Sequence, residues 1–277
     1  MSSEPTNEKR WFEFLSLSLL LGLGTAIATL IFFGWLADEV LEGDSRHFDE
    51  VTRAAIHRLA SPTLTIVMRG FSFVGSTIAL TIGTIIVVVR FAMMKLGREA
   101  RLFALTMIGA GLLNITLKLA FKRARPEPFF NLSLPETYSF PSGHSLTSAV
   151  FFGALAAILT ARIKSKRARP EPFFNLSLPE TYSFPSGHSL TSAVFFGALA
   201  AILTARIKSK RTRTAIWIVS TLMFLTIGFS RIYLGVHHTT DVIAGFAAAL
   251  IWILVVRFVE MQLARRKRRR QAADLRG

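Results

Sequence analysis

The chain has 277 residues, of which 51% are hydrophobic, and carries a formal net charge of +16 with no cysteine. Its mean hydropathy of +0.45 is concentrated in apolar stretches of about 17 to 20 residues, the length a helix needs to cross a bilayer, which excludes an ordinary soluble domain. The absence of cysteine excludes disulfides and thiolate metal sites.

The predicted elements are all helices, and the fold class expected is an all-α integral membrane bundle. Ten N-terminal residues are expected in the cytoplasm, followed by a membrane domain over residues 11–260 and a basic cytoplasmic tail over residues 261–277. Candidate spans lie at about 11–37, 64–89, 102–120, 143–161, 187–205, 214–230 and 239–258. The first is too long for a signal peptide and lacks a small-residue cleavage site, so it is expected to be retained.

Charge orients these spans. Residues 38–58 form a predicted outer loop rich in Asp, Glu and His. Arg90, Lys95, Arg98 and Arg101 separate the second and third spans, Arg206, Lys208, Lys210, Arg211 and Arg213 precede the sixth candidate, and residues 265–270 are an unbroken basic run. Cations gathered beside spans follow the positive-inside tendency. They argue for a membrane partner and against a nucleic-acid one.

Residues 122–165 recur without change as residues 166–209. With one copy removed, six spans leave both chain ends inside and bring residues 118–142 and 230–241 to the same outer face. A seventh crossing would invert everything after it. The repeat also prints the tetrapeptide PSGH twice, at residues 141–144 and 185–188.

Three clusters at span ends carry the chemistry. Lys118, Arg125 and Arg231 supply three cations with directed N–H donors, enough to hold a phosphomonoester without a metal. In the first PSGH, Pro141 suits a first helical turn, Ser142 adds a hydroxyl donor and Gly143 lets backbone approach an anion, while a helix start offers free N–H groups. His237 and Asp241 are four apart at a helix start and share a face, so the carboxylate can hold one ring nitrogen. No ligand set for a metal is visible, and no cofactor is expected. His47, His57 and His238 read as satisfied or solvent-facing histidines.

The pattern K-x6-RP (Lys118, Arg125, Pro126), PSGH (residues 141–144) and SR-x5-H-x3-D (Ser230, Arg231, His237, Asp241) resembles the signature of the type 2 phosphatidic acid phosphatase family. That family includes bacterial lipid phosphatases and is related to vanadium haloperoxidases. The resemblance covers about residues 60–260. It implies a metal-independent membrane phosphatase in which His237 is the nucleophile that forms a phosphohistidine, Asp241 orients it, and His144 protonates the leaving alkoxide and later activates water. The implied substrate is a lipid phosphate or diphosphate, such as phosphatidic acid, phosphatidylglycerol phosphate or undecaprenyl diphosphate. The implied location is a bacterial inner membrane with the site on the outer face. A lipid phosphotransferase would use the same residues, and a transporter or a protein inactivated by the duplication are the other readings.

The repeat leaves two arrangements. Lys118 stands seven residues before Arg125, whereas the residue seven before Arg169 is Arg162, and arginine does not simply replace lysine at a fitted phosphate site. The first copy is therefore preferred. It also keeps Arg162, Lys164, Lys166, Arg167 and Arg169 on the cytoplasmic side. The competing arrangement keeps Lys118 and uses Ser186, Gly187 and His188, with Arg169 as the counterpart of Arg125. The surplus helix at 187–205 is expected at the interface or beside the bundle.

Overall fold

The computed structural model describes residues 7–130, 132, 136–164 and 210–274; the second copy of the repeat, with Arg169, Ser186, Gly187, His188 and the candidate span at 187–205, lies outside the described residues. Eight helices are present among the described residues. They are α1 (Asn7–Glu42), α2 (Arg46–His57), α3 (Pro62–Val74), α4 (Thr77–Met93), α5 (Gly97–Phe121), α6 (Gly143–Lys164), α7 (Lys210–Tyr233) and α8 (Thr239–Asp274). Five of them contain segments long and apolar enough to cross a membrane, and α3 with α4 makes a sixth crossing if that bent pair counts as one. The chain is an all-helical integral membrane bundle.

The centre of the bundle is α6. Two thirds of its apolar window (67%) is buried, against 17% for the windows of α1 and α5, which turn large apolar side chains such as Leu30, Ile31, Leu105 and Leu112 outward. Lipid is as apolar as leucine, so burial does not drive such helices together; close packing does. The α6 face toward α8 shows how: Leu146, Ala149 and Val150 meet Ala244, Ala247 and Ala248, with Phe33 and Leu36 of α1 closing the cluster. A Cβ on Gly245 would stand 2.7 Å from the Ser142 carbonyl oxygen and 2.8 Å from the Ser145 Cβ. Only glycine lets the start of α8 approach the start of α6 this closely. On the other side of α6, Phe151 and Leu155 pack with Val87, Phe91, Phe103 and Ile227.

Two expectations are corrected. The span expected as one helix at 64–89 is a helix pair bent by 52°. Gly75 ends α3, and Ser76 caps α4 by accepting from the Ala79 N–H at 3.2 Å, so a stop and a start signal stand side by side. The segment 38–58, expected as an outer loop, is helical. Helix α1 runs to Glu42, Gly43 turns the chain with φ +90°, and α2 follows at once. A smaller difference concerns Pro141, which precedes α6 instead of lying in its first turn.

The C-terminus of α5, the N-terminus of α6, the C-terminus of α7 and the N-terminus of α8 meet at one end of the bundle, under α2. At the opposite end Arg98 of α5 pairs with Glu260 of α8 at 3.4 Å. Lys164 and Lys210, between which the second copy is inserted, are both at that opposite end. The described chain thus stops and resumes at the end remote from the motifs, and α7 and α8 keep the direction they need.

Candidate active site

Each motif is delivered by the end of a helix. Lys118 lies in the last turn of α5, and its Nζ donates to the carbonyl oxygens of Tyr138 and, at 3.5 Å, Ser139, the residues leading into PSGH. After α5 stops at Lys122 in a left-handed conformation, residues 122–128 carry no regular secondary structure. Both Arg123 and Arg125 turn toward the start of α8, Arg123 onto Asp241 and Arg125 onto His237.

The start of α6 is tied directly to the third motif. The Ser142 N–H donates to the Asp241 carbonyl at 2.8 Å. Ser142 also caps its helix, its carbonyl accepting from Leu146 N–H at 3.0 Å and its hydroxyl from Ser145 N–H at 3.5 Å. The N–H groups of Gly143 and His144 remain as the unsatisfied donors that any helix start presents. Gly143 has a packing role too, because a Cβ there would lie 3.0 Å from the Asn114 amide nitrogen. His144 is half-buried, and a Cβ on Gly75 would stand 2.2 Å from Ile227 Cγ2 and 3.3 Å from the His144 ring, so the glycine between α3 and α4 leaves room for Ile227 and, beside it, the imidazole.

Asp241 is fully buried and accepts three hydrogen bonds: at Oδ2 from His237 Nδ1 (3.2 Å) and the His238 backbone N–H (2.9 Å), and at Oδ1 from Arg123 Nη1 (2.7 Å). The other nitrogen of His237, Nε2, lies 3.1 Å from Arg125 Nη1. A guanidinium can only donate. Nε2 must therefore carry the lone pair, and Nδ1 carries the proton given to Asp241. Burial is the main force holding the His237 pKa down to about 3, with Arg231 and Arg125 adding to it, against the opposing pull of Asp241. The ring is neutral at physiological pH, with its lone-pair nitrogen directed away from its carboxylate.

Three cations converge on the same space. Arg125 is fixed by Nε to the Thr137 carbonyl (2.7 Å), by Nη2 to the Thr137 hydroxyl (2.9 Å) and by Nη1 to the Val236 carbonyl (3.0 Å). Arg231, in the last turn of α7, donates through Nη1 to Ser72 of α3, while its buried Nε has no hydrogen-bond partner. Lys118, Arg125, Arg231 and His237 all lie within electrostatic reach of His144. The structure thus brings Lys118, Arg125, Ser142, Gly143, His144, Arg231, His237 and Asp241 to one end of the bundle.

Sequence reasoning missed Arg123 and Asp49. Arg123 bridges Asp241 and Asp49, the latter at 2.8 Å, and Asp49 is a fully buried carboxylate of α2. The available signal was the second arginine of KRARP, two residues from Arg125. Asp49 carried none, since it stood among acidic residues that read as a solvated loop. The histidines also differ from expectation. His47 is exposed, but His57 stacks on Phe129 at 4.0 Å, and His57 Nδ1 and His238 Nδ1 are buried without a hydrogen-bond partner.

The sequence pattern of the PAP2 superfamily matches residues 99–177 and again residues 166–264, together more than half of the chain. The chain belongs to the PAP2 superfamily. Phosphatidylglycerophosphatase B of Bacillus subtilis is 23% identical over 239 residues, covering 86% of this chain and 96% of that protein. The crystal structure of a transmembrane PAP2 type phosphatidylglycerolphosphate phosphatase from Bacillus subtilis superposes with a TM-score of 0.63 at 23% identity, over 86% of this chain and 96% of that one, which establishes a shared fold. LpxE of Aquifex aeolicus aligns over 76% of this chain and 95% of its own, at 16% identity and a TM-score of 0.44, too distant to carry weight.

The two PAP2 matches overlap inside the repeat. The first takes Lys118 with the PSGH at 141–144; the second begins where the second copy begins and takes the PSGH at 185–188 with residues 230–241. Linear matching therefore divides the motif set between the copies. Among the described residues, it is the first copy's Ser142 that is hydrogen-bonded to Asp241.

Proposed function

We propose that this PAP2 protein is a membrane phosphatase that removes phosphate from a lipid phosphate or diphosphate, without a metal, through a phosphohistidine at His237. The observation that carries the reading is the polarity of that imidazole. Its Nδ1 is held by Asp241 and its Nε2 lone pair faces Arg125, a residue suited to a phosphate oxygen.

In the reaction, the phosphate lies among Lys118, Arg125, Arg231, the Ser142 hydroxyl and the free N–H groups of Gly143 and His144. Nε2 of His237 attacks phosphorus while the bond to the lipid oxygen breaks. Protonated His144, favoured by the phosphate charge, gives its proton to the departing alkoxide. His144, now neutral, takes a proton from water, which attacks the phosphohistidine and releases inorganic phosphate. His237 returns to its starting tautomer and His144 to its protonated form, so the cycle closes. The first PSGH copy supplies these groups, a reading supported by the bond between Ser142 and Asp241.

Charge supports an outward-facing site in a bacterial inner membrane. Arg90, Lys95, Arg98 and Arg101 lie around the turn between α4 and α5, at the end of the bundle remote from His237, as cytoplasmic cations should. The names of the Bacillus relatives favour phosphatidylglycerol phosphate as the first substrate to try. Purified protein in detergent should release phosphate from phosphatidylglycerol phosphate or phosphatidic acid at a rate unchanged by chelator. No release from either lipid or from undecaprenyl diphosphate, or a rate that collapses in chelator and returns with magnesium, would overturn the proposal.

A further inference from the structure

The hydrogen-bond chain behind His237 does not stop at Asp241. Arg123 holds Asp241 Oδ1 with Nη1 (2.7 Å) and Asp49 Oδ2 with Nη2 (2.8 Å), so one guanidinium joins two fully buried carboxylates. Asp49 is in turn saturated from α8, its Oδ1 accepting the Thr240 N–H at 2.9 Å and its Oδ2 the Thr240 hydroxyl at 2.7 Å. Ser45 Oγ accepts a longer bond from Arg123 at 3.4 Å, and the hydroxyls of Thr52 and Thr239 meet at 2.6 Å. Arg53 donates to the Gly235 carbonyl at 3.1 Å. Asp49, Thr52 and Arg53 are spaced three and four apart, so a single face of α2 grips the segment that presents His237.

Charge bookkeeping gives this grip a chemical consequence. When Nε2 of His237 bonds to phosphorus, the ring keeps its Nδ1 proton and becomes cationic, and Asp241 is the group that must stabilise that charge. Paired with Arg123 alone, Asp241 would belong to a neutral ion pair with little charge left for the imidazole. Asp49 gives the three residues Asp241, Arg123 and Asp49 a net charge of about −1, which the Arg53 cation, within electrostatic reach of both carboxylates, offsets only from the outside of the group. Asp49 also holds the second terminal nitrogen of Arg123, Nη2, and so fixes the orientation in which Nη1 meets Asp241. We propose that Asp49, on the outer helix α2, is a positioning residue for phosphohistidine formation, acting through Arg123 and Asp241 on His237.

The inference rests on His237 being the nucleophile, and the experiment separates the two. Dioctanoyl phosphatidic acid labelled in its phosphate is mixed with detergent-purified enzyme and quenched in alkali, where a phosphohistidine survives. The rate constant and the amplitude of labelling are then read separately. Asp49→Asn should lower the rate constant about ten- to a hundredfold, the scale seen when an outer carboxylate orienting a working histidine is lost, with KM within about threefold of the parent. Glu50→Gln makes the same charge change on the exposed side of α2 and should leave both unchanged. A merely structural role for Asp49 would reduce the amplitude, as folded enzyme is lost, and leave the rate constant at the parental value; that result overturns the inference. Should Asp49→Asn not yield folded protein, Thr240→Val removes the hydroxyl that donates to Asp49 Oδ2 and accepts from Arg123 Nη1 at 2.8 Å, and preserves every charge in the chain of contacts. It should slow labelling several-fold, and a parental rate constant there overturns the inference equally. If the parent itself acquires no label while releasing phosphate, the nucleophile assignment falls first.

Discussion

Arg125 Nη1 stands 3.1 Å from His237 Nε2, so in the free protein the cation proposed to bind phosphate rests on the lone pair proposed to attack phosphorus. A phosphate entering the site offers the guanidinium better acceptors and draws it off the imidazole. Binding and unmasking of the nucleophile then become one event.

Arg125→Lys should expose how much of this depends on the fork. Lysine keeps the charge but cannot reach Thr137, Val236 and the phosphate at once, so kcat/KM should fall by about a hundredfold or more. The same substitution at Arg98, whose exposed pair with Glu260 lies at the other end of the bundle, should change little. Steady-state assays on the two variants check this.

Acid should destabilise the protein through His237. Its pKa is about 3 when folded, chiefly because of burial, and near the ordinary value of about 6.5 when unfolded. The unfolded chain takes up the proton first. Stability from the neutral ring is fully present above about pH 6.5 and is lost as pH falls toward 3, at up to about 1.4 kcal/mol per pH unit for this one group. His238 is shifted down as well, again mainly by burial, and adds in the same direction. Melting curves in detergent from pH 7.5 to 5 should slope accordingly, and His237→Asn should flatten the slope while keeping a donor for Asp241.

Deleting residues 166–209 should give a protein at least as active as the parent and easier to fold. The deletion joins the chain at the end of the bundle remote from the site, between Lys164 of α6 and Lys210 of α7, and removes none of the residues that meet there. His144→Ala in the full chain should cost about a hundredfold or more, as loss of a general acid does, and His188→Ala little. A shortened protein that runs as a single species in detergent yet is inactive would show that the duplicate contributes to the site.

The sequence was most legible where chemistry and membrane physics impose the same residues. Spans betray themselves by apolar length, and cations and histidines at span ends stand out against it. The proton position on His237 could be anticipated only as far as the partner at Asp241, because the other half of the evidence, Arg125 on Nε2, depends on how residues 122–130 cross the bundle. Asp49 was hidden for a physical reason: α2 is short and strongly amphipathic, and one buried carboxylate among exposed acids carries no local mark of its burial. The bend at Gly75 went unread although Gly-Ser offers a stop and a start, and the close approach of Ile227 and His144 to that glycine is a property of the packed bundle.

The central claim is a covalent phosphate on His237, and trapping it is the most direct measurement. Enzyme mixed with labelled dioctanoyl phosphatidic acid, quenched in alkali and digested, should yield one phosphorylated peptide with the phosphate on His237. His237→Ala should yield none and should lose turnover entirely while its melting curve stays cooperative. Phosphate found on another residue, or turnover in His237→Ala within about tenfold of the parent, would contradict the account.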